Sequence, residues 1–410
     1  MTRFSGQLKN YLPLLRRDLE PVPLLDTDGR TVVRLDDPLK LSKETMLLPA
    51  KIFFLLHFFD GKHTFDDVCA RFSQQFREDL PPAVLQKLVK SFDHAYLLDN
   101  ERFARKWKAA LTRYRRMPVR PAAFSECYGA EPDAVRTEID GYLAAASFST
   151  GSFSDKAIIA LIAPHIDPRL GGPTYAAVYQ AAAAAPADSV YIIFGISHHA
   201  MANAFALTDK PFALPGGIMQ TDTALCQRVA SRCRTDYFQD ELHHKYEHSI
   251  EFQTIFLSRF ARRPFRILPV LCGFSHAMKE HELRQFDEFT DAVQRAIEEE
   301  RRHVVLVAAV DLSHVGPRYG DAAAPDPFRL AEIEGFDQKV LDAVMRRDLE
   351  TFDRLFLTDD NRYNICGYPA LRTLIKLLPP SQSVLVSYEN AVMDAMRSRV
   401  TFAGVVFHRP

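Results

Sequence analysis

Hydrophobic positions along the chain follow two rhythms, and the change falls near residue 120. In the first part they recur three and four apart: Phe65, Val68, Phe72 and Phe76 line one face of a helix over 65–76, the spacing of a segment that buries a single stripe. Thr64 and Asp67 at its start have the order of a capping box, in which each side chain satisfies the other residue's backbone N–H. Ala50 to Phe59 predicts an earlier helix, closed by the Asp60-Gly61 turn, and Pro81-Pro82 opens a third that runs to about Tyr96. Proline suits that position because a first-turn N–H has no helical partner to lose. Strand-like pieces at Pro21–Leu25 and Thr31–Leu35 precede the helices.

Beyond Pro121 the apolar runs become continuous. Ala157–Ala163, Val190–Ile196, Ile267–Leu271 and Val304–Val310 show no polar alternation, as expected of strands covered on both faces of a largely parallel sheet. Helical stretches separate them, among them Pro173–Ala185, Asp222–Cys233, Ser249–Ala261 and Phe336–Met345. Gly171-Gly172 reads as the chain leaving a strand, with Pro173 in the first helical position. The pattern predicts an α/β domain, a largely parallel sheet flanked by helices, beside a smaller N-terminal α+β domain.

Between the two lies a basic stretch, Arg102 to Arg120, that ends in Met117-Pro118 and Arg120-Pro121. It reads as a solvated linker helix with Trp107, Leu111 and Tyr114 packed on a neighbour. The expected organisation is 1–101, a linker over 102–121, and 122–410. A length of 410 residues agrees with two or three domains at roughly 150 residues each.

Composition removes several function classes. Lys+Arg 51 against Asp+Glu 52 leaves a formal net charge of −1, so no overall field draws the chain to nucleic acid or to an anionic membrane. No apolar run approaches the roughly 20 residues of a membrane span, and Met1 to Leu15 lacks the apolar core of a secretory leader. The expectation is a soluble cytoplasmic protein that uses neither nucleic acid nor membrane. The six cysteines have neither the density of a disulfide framework nor the pairing of a zinc ribbon, and most read as buried thiols.

Candidate chemistry sits where the apolar runs stop. Ala157–Ala163 runs into Pro164-His165-Ile166-Asp167, Val190–Ile196 into Ser197-His198-His199, and Val304–Val310 into Asp311-Leu312-Ser313-His314. Ligands of open α/β sheets bind beyond the carboxyl ends of the strands, so these imidazoles can share one site although they are far apart in sequence. Cys366, in Asn364-Ile365-Cys366-Gly367 before a helix over Ala370–Leu378, is a fourth candidate, because a helix N-terminus favours the thiolate. A competing pattern is His244-Lys245-Tyr246-Glu247-His248, the spacing of an inverted zincin with two zinc ligands one helical turn apart. No nucleophile elbow, phosphate loop or dinucleotide fingerprint is present, and no nucleotide cofactor is implied.

Ala163-Pro164-His165, Gly195-Ile196-Ser197-His198-His199, Glu247-His248-Ser249-Ile250-Glu251, Ile267-Leu268-Pro269-Val270, Asp311-Leu312-Ser313-His314 and Asn364-Ile365-Cys366-Gly367 resemble, in order and approximate spacing, the Memo family. That family includes the proteins called AmmeMemoRadiSam system protein B. The resemblance runs from about Ala123 to the C-terminus and implies the fold of class III extradiol dioxygenases. It implies His165, His198 and Cys366 as metal ligands, with Asp311, His314 and His248 beside them as candidate catalytic groups. A thiolate in place of the dioxygenase carboxylate implies iron, with copper as the alternative, and redox chemistry. Two segments depart from the family pattern, Ile166-Asp167-Pro168 and Glu126-Cys127-Tyr128-Gly129, as does the fused N-terminal domain.

That N-terminal domain, with Phe58-Phe59-Asp60-Gly61-Lys62-His63-Thr64-Phe65 between its first two helices, resembles PqqD-like winged-helix modules over about 80 residues. The resemblance implies recruitment of a peptide or protein partner, a radical SAM enzyme among the candidates; a purely structural cap is the alternative. For the whole chain, the expected activity is oxidation of a small molecule or peptide at a mononuclear metal. A non-catalytic metal-binding scaffold and, third, a zinc metalloprotease are the alternatives.

Overall fold

A computed structural model describes residues 10–26, 28–42, 44–146, 153 and 156–410. The first nine residues of the opening stretch Met1–Leu15 lie outside the described residues. The chain divides into two compact units, Met1–Met117 and Pro118–Pro410.

In the first unit β1 (Glu20–Leu25), β2 (Thr31–Asp36) and β3 (Met46–Pro49) form an antiparallel sheet in that order. Helices α1 (Ala50–Leu55), α2 (Phe65–Phe76), α3 (Pro82–His94) and α4 (Glu101–Arg115) complete an α+β unit. The capping box at α2 forms: the Thr64 hydroxyl accepts from the Asp67 N–H at 3.1 Å, and the Asp67 carboxylate accepts from the Thr64 N–H at 3.0 Å. The first helix is shorter than its apolar run, ending at Leu55 before a 3-10 turn over Leu56–Phe58. Val68, Phe72, Leu85 and Phe92 meet in a core of the unit's own. The stretch read as a basic linker is divided, with α4 in this unit and Pro118 to Pro121 in the next.

The second unit opens with α5 (Pro132–Ala145), β4 (Ile158–Ala163), α6 (Pro168–Tyr179) and β5 (Val190–Ile196). The short β6 (Phe205–Leu207) and a hairpin of β7 (Phe212–Leu214) and β8 (Gly217–Met219) follow, then α7 (Thr223–Ser231), α8 (Ser249–Phe260) and β9 (Arg266–Cys272). Next come α9 (Glu280–Glu298), β10 (Val304–Ala309), the two-residue β11 (His314–Val315), α10 (Pro327–Met345), α11 (Leu349–Asp359) and α12 (Tyr368–Leu377). The chain closes with β12 (Gln382–Val392) and β13 (Arg399–His408).

The main sheet has the order β11-β13-β4-β10-β5-β9-β6, with β12 on β13. Its centre, β4-β10-β5-β9, is parallel, and the flanking pairs are antiparallel. Continuous apolar runs are needed because both faces are covered. Val190, Ile192 and Phe194 of β5 join Phe289 of α9 and Leu371 of α12, while Tyr191 and Ile193 face the opposite core with Tyr175 of α6 and Phe256 of α8. At roughly 1.5–3 kcal/mol per fully buried large apolar side chain, this double burial dominates the stability of the unit.

Two expectations are corrected here. Helix α6 begins at Pro168, not Pro173: Asp167 is the N-cap, accepting from the Arg169 N–H at 2.9 Å, and Pro168 takes the first position. Gly171 and Gly172 therefore lie inside the helix, where the lack of a side chain serves packing. A Cβ on Gly172 would stand 2.5 Å from the Tyr142 ring of α5. Among the cysteines only Cys226 and Cys272 are buried; the other four sit half-buried on a helix flank or in turns, and all six are free.

Candidate metal centre

The parallel strands deliver their loops to one edge of the sheet. His165 follows β4 by two residues, His198 follows β5 by two, and Asp311 to His314 leave β10. Opposite them, His248 is the N-cap of α8, and Cys366 lies in the turn before α12. Ring centroids are 5.0 Å apart for His165–His198, 5.5 Å for His165–His248 and 4.8 Å for His198–His248. The Cys366 Sγ is 3.4 Å from the His165 Nε2. Gly367 lets this turn approach β10, since a Cβ there would meet the Asp311 carbonyl at 2.8 Å.

The imidazoles of His165, His198 and His314 are tied at Nδ1 to oxygens that can only accept. His165 Nδ1 meets the Ala309 carbonyl at 2.9 Å and His314 Nδ1 the Leu312 carbonyl at 3.0 Å. His198 Nδ1 lies 3.1 Å from both Glu247 oxygens, and His248 Nδ1 lies 3.2 Å from one of them. A carbonyl or carboxylate has no proton to give, so the Nδ1 of His165, His198 and His314 carries a hydrogen and Nε2 is left to face the site. That is the arrangement of metal-binding histidines, whose second nitrogen is held by an outer acceptor.

The donor atoms of His165, His198 and Cys366 all lie within 4.8 Å of one another. Two ligands bound at about 2.1 and 2.3 Å to one centre stand roughly 3.1–3.6 Å apart, and the 3.4 Å from Sγ to Nε2 falls within that interval. A second grouping, His198, Glu247 and His248, meets the same distance test. Its carboxylate is already occupied, because Glu247 accepts from the backbone N–H of His198, His248 and Ser249 at 3.0, 2.8 and 3.0 Å. Glu247 thus orients rings and has little capacity left for an ion.

The electrostatics couple Cys366 to the neighbouring rings. Burial pushes the Cys366 thiol up, but the neighbouring His165 and His198 rings outweigh it and bring it down to about 7. Burial alone would lower His198, yet Glu247 and the Cys366 thiol hold it well above its ordinary value. His248, despite its contact with Glu247, is driven down to about 3 by burial and stays neutral. Burial raises Asp311 to about 6, partly offset by His314 and by the N–H groups of His165 and Ile166.

Asp311 Oδ1 accepts those two N–H groups at 2.9 and 3.2 Å, and its Oδ2 is 3.6 Å from His165 Nε2. Asp311 therefore faces the 165–166 turn, and His314 is oriented by the Leu312 carbonyl and by the edge of Tyr319 at 5.1 Å. The loop that carries both is fastened from behind: Ser313 Oγ donates to Asp337 at 2.6 Å, and Thr401 and Tyr388 donate to the same carboxyl.

The zincin pattern does not form. Its spacing needs a helix across 244–248, whereas the 3-10 stretch Glu241–Tyr246 ends in extended backbone at Glu247. His244 turns inward, with Nε2 on the Ala206 carbonyl at 3.1 Å. The sequence placed Glu247 in the zincin pattern and in the Glu247-His248-Ser249-Ile250-Glu251 motif but gave no sign of its position beside two rings; an acidic residue directly before His248 was the available signal. It also placed Arg120 in a solvated linker, whereas Arg120 is fully buried against Glu251.

A family profile described as Memo-like protein matches residues 120–406. A MEMO1 family protein of Aquifex aeolicus is 25% identical over 95% of this chain and 98% of its own length. That alignment extends through the N-terminal unit, so this relative shares it, whereas the Archaeoglobus relative below is matched over almost its whole length by only 70% of this chain. MEMO1 family proteins of Archaeoglobus fulgidus (26% identical, 70% of this chain and 98% of the relative) and Methanococcoides burtonii (29%, 56% and 79%) are also similar. With that profile spanning the residues that build the sheet and its histidine-lined edge, the chain belongs to the Memo-like family.

Proposed function

We propose that the chain holds one iron ion at His165, His198 and Cys366 and supports oxidation of a small molecule or peptide there, with copper as the alternative metal. The observation that carries this reading is the common orientation of the imidazoles, Nδ1 tied back and Nε2 free, around a thiol drawn toward its thiolate. Two imidazoles and a thiolate suit a borderline or soft transition ion. Such an ion, when bound, supplies electron transfer and open positions for substrate.

The chain's own groups do the rest. His248 and His314 present neutral Nε2 atoms that can accept hydrogen bonds from a substrate, and Asp311, raised to about 6, can exchange a proton near neutrality. Phe124 and Tyr319 pack their rings against His248 and His314 and limit water on either side. The N-terminal unit is proposed to recruit a peptide or protein partner, a radical SAM enzyme in the reading by resemblance. Its support is the edge strand β3, whose Leu47 is 58% exposed and which could accept an added strand.

The test is anaerobic loading of the full chain with iron, and separately with copper, followed by oxygen in the presence of candidate catechols and peptides. Turnover with one metal supports the enzyme reading. Stable metal without turnover leaves the scaffold, and failure to retain either metal refutes the centre.

A further inference from the structure

The buried guanidinium of Arg120 has no part in the metal reading so far, yet it holds the turn on which that reading depends. Its Nε donates to the His244 carbonyl at 2.7 Å and its Nη2 to the Glu247 carbonyl at 2.8 Å. Its Nη1 donates to the Pro121 carbonyl at 2.9 Å and to the Glu251 carboxylate. The 3-10 stretch that precedes α8 breaks at Glu247, so carbonyls there lack the partners a continuing helix would supply. Arg120 supplies them from more than a hundred residues away.

The strut is itself fixed. The Arg120 N–H donates to the Pro211 carbonyl at 2.8 Å, and the Ala213 N–H donates to the Arg120 carbonyl at 2.9 Å, which anchors its backbone beside β7. Glu251, one helical turn beyond Glu247, accepts from the N–H groups of Ala123 and Phe124 and from the Tyr128 hydroxyl at 2.6 Å. Phe124 then sets its ring 5.3 Å from that of His248. One ion pair thereby controls the Glu247–His248 turn from its backbone and from its aromatic neighbour. A planar five-donor fork can span three carbonyls and a carboxylate at once, four acceptors against the three N–H groups of an ammonium.

We propose that Arg120, with Glu251, is a positioning residue for the metal centre: it fixes Glu247, which in turn fixes the tautomer and direction of His198 and His248. Its purpose rests on the metal reading; its geometry does not. A buried pair is weak evidence for stability in itself, so the experiment must separate positioning from folding.

In the full chain, Arg120→Lys keeps a charge beside Glu251 but loses the fork. Two-bond 15N–1H correlation of the metal-free protein should show Nδ1 of His198 protonated and His248 in one neutral tautomer in the wild type, and mixed protonation sites at both rings in the variant. Co2+ affinity should fall about 10- to 100-fold, the usual cost of losing an outer partner of a ligand. Leu257→Ala, a cavity in the buried face of α8 away from the turn, is the control: it should lower the melting temperature and leave tautomers and affinity as they were. If Arg120→Lys does not fold, Glu251→Gln takes its place with the same expectation. Unchanged tautomers in a folded variant overturn the proposal, as does Leu257→Ala producing the same mixture. A wild type that binds no Co2+ refutes the metal reading, while the tautomers still decide the positioning.

Discussion

Acid should destabilise the second unit in part through a histidine that lies outside the candidate metal site. His244 is 1% exposed, its Nε2 is spent on the Ala206 carbonyl, and its Nδ1 has no hydrogen-bond partner among the described residues. A proton placed there would be buried without an acceptor, next to the Arg120 guanidinium that already binds the His244 carbonyl. Burial first, and then Arg120, hold the ring down to about 3 from an ordinary 6.5. Between those values the unfolded chain carries the extra proton, so stability rises with pH across the window and is lost as pH falls below 6.5. At about 1.36 kcal/mol per pH unit, the loss by pH 4.5 is about 2.7 kcal/mol, and it tends toward about 5 kcal/mol near pH 3. His244→Gln keeps a donor for Ala206 and cannot titrate. Urea unfolding followed by far-UV circular dichroism at pH 4.5, 5.5, 6.5 and 7.5 measures the difference; Trp107, the single tryptophan, lies in the other unit and is a poor reporter. Other groups titrate equally in both proteins, so the wild type should lose about 2–3 kcal/mol more than the variant between pH 6.5 and 4.5. Parallel pH profiles for the two would refute the account of a neutral, unpartnered Nδ1.

Further outcomes can be checked separately. His165→Ala, His198→Ala and Cys366→Ala should each remove most of about one bound iron or copper per chain by elemental analysis, whereas full occupancy in all three would end the ligand assignment. Asp311→Asn should retain the metal, because an amide oxygen can still accept from the His165 and Ile166 N–H groups; metal lost here but kept in Cys366→Ala would shift the ligand set to two histidines and a carboxylate. Gly172→Ala should cost about 1–3 kcal/mol in thermal unfolding, since its Cβ has no room against Tyr142, and an unchanged melting temperature would show that α5 yields. Residues 118–410 expressed alone should fold and take up metal as the full chain does, with an insoluble or metal-free product contradicting an independent core.

What the sequence determined by itself was everything carried by short-range pattern. Continuous apolar runs marked the strands, Thr64 with Asp67 marked a helix start, and histidines directly after the runs identified His165 and His198 as residues of one edge, because a strand of known direction projects its next residues there. Cys366 was legible for the same reason, as a thiol in front of a helix. Tertiary structure decided what those side chains do. The spacing of His244 and His248 fitted a helical zinc pair, but the backbone turns extended at Glu247, and one ring enters the core while the other joins the site. Arg120 ends a basic stretch and read as solvated; only the distant Glu251 and two carbonyls make its burial favourable. Gly172 read as a turn because its packing partner, Tyr142, lies in another helix. Periodicity records the face on which a side chain lies, whereas an acceptor more than a hundred residues away leaves no periodic trace, so the elements were readable and the hydrogen bonds that aim the histidines were not.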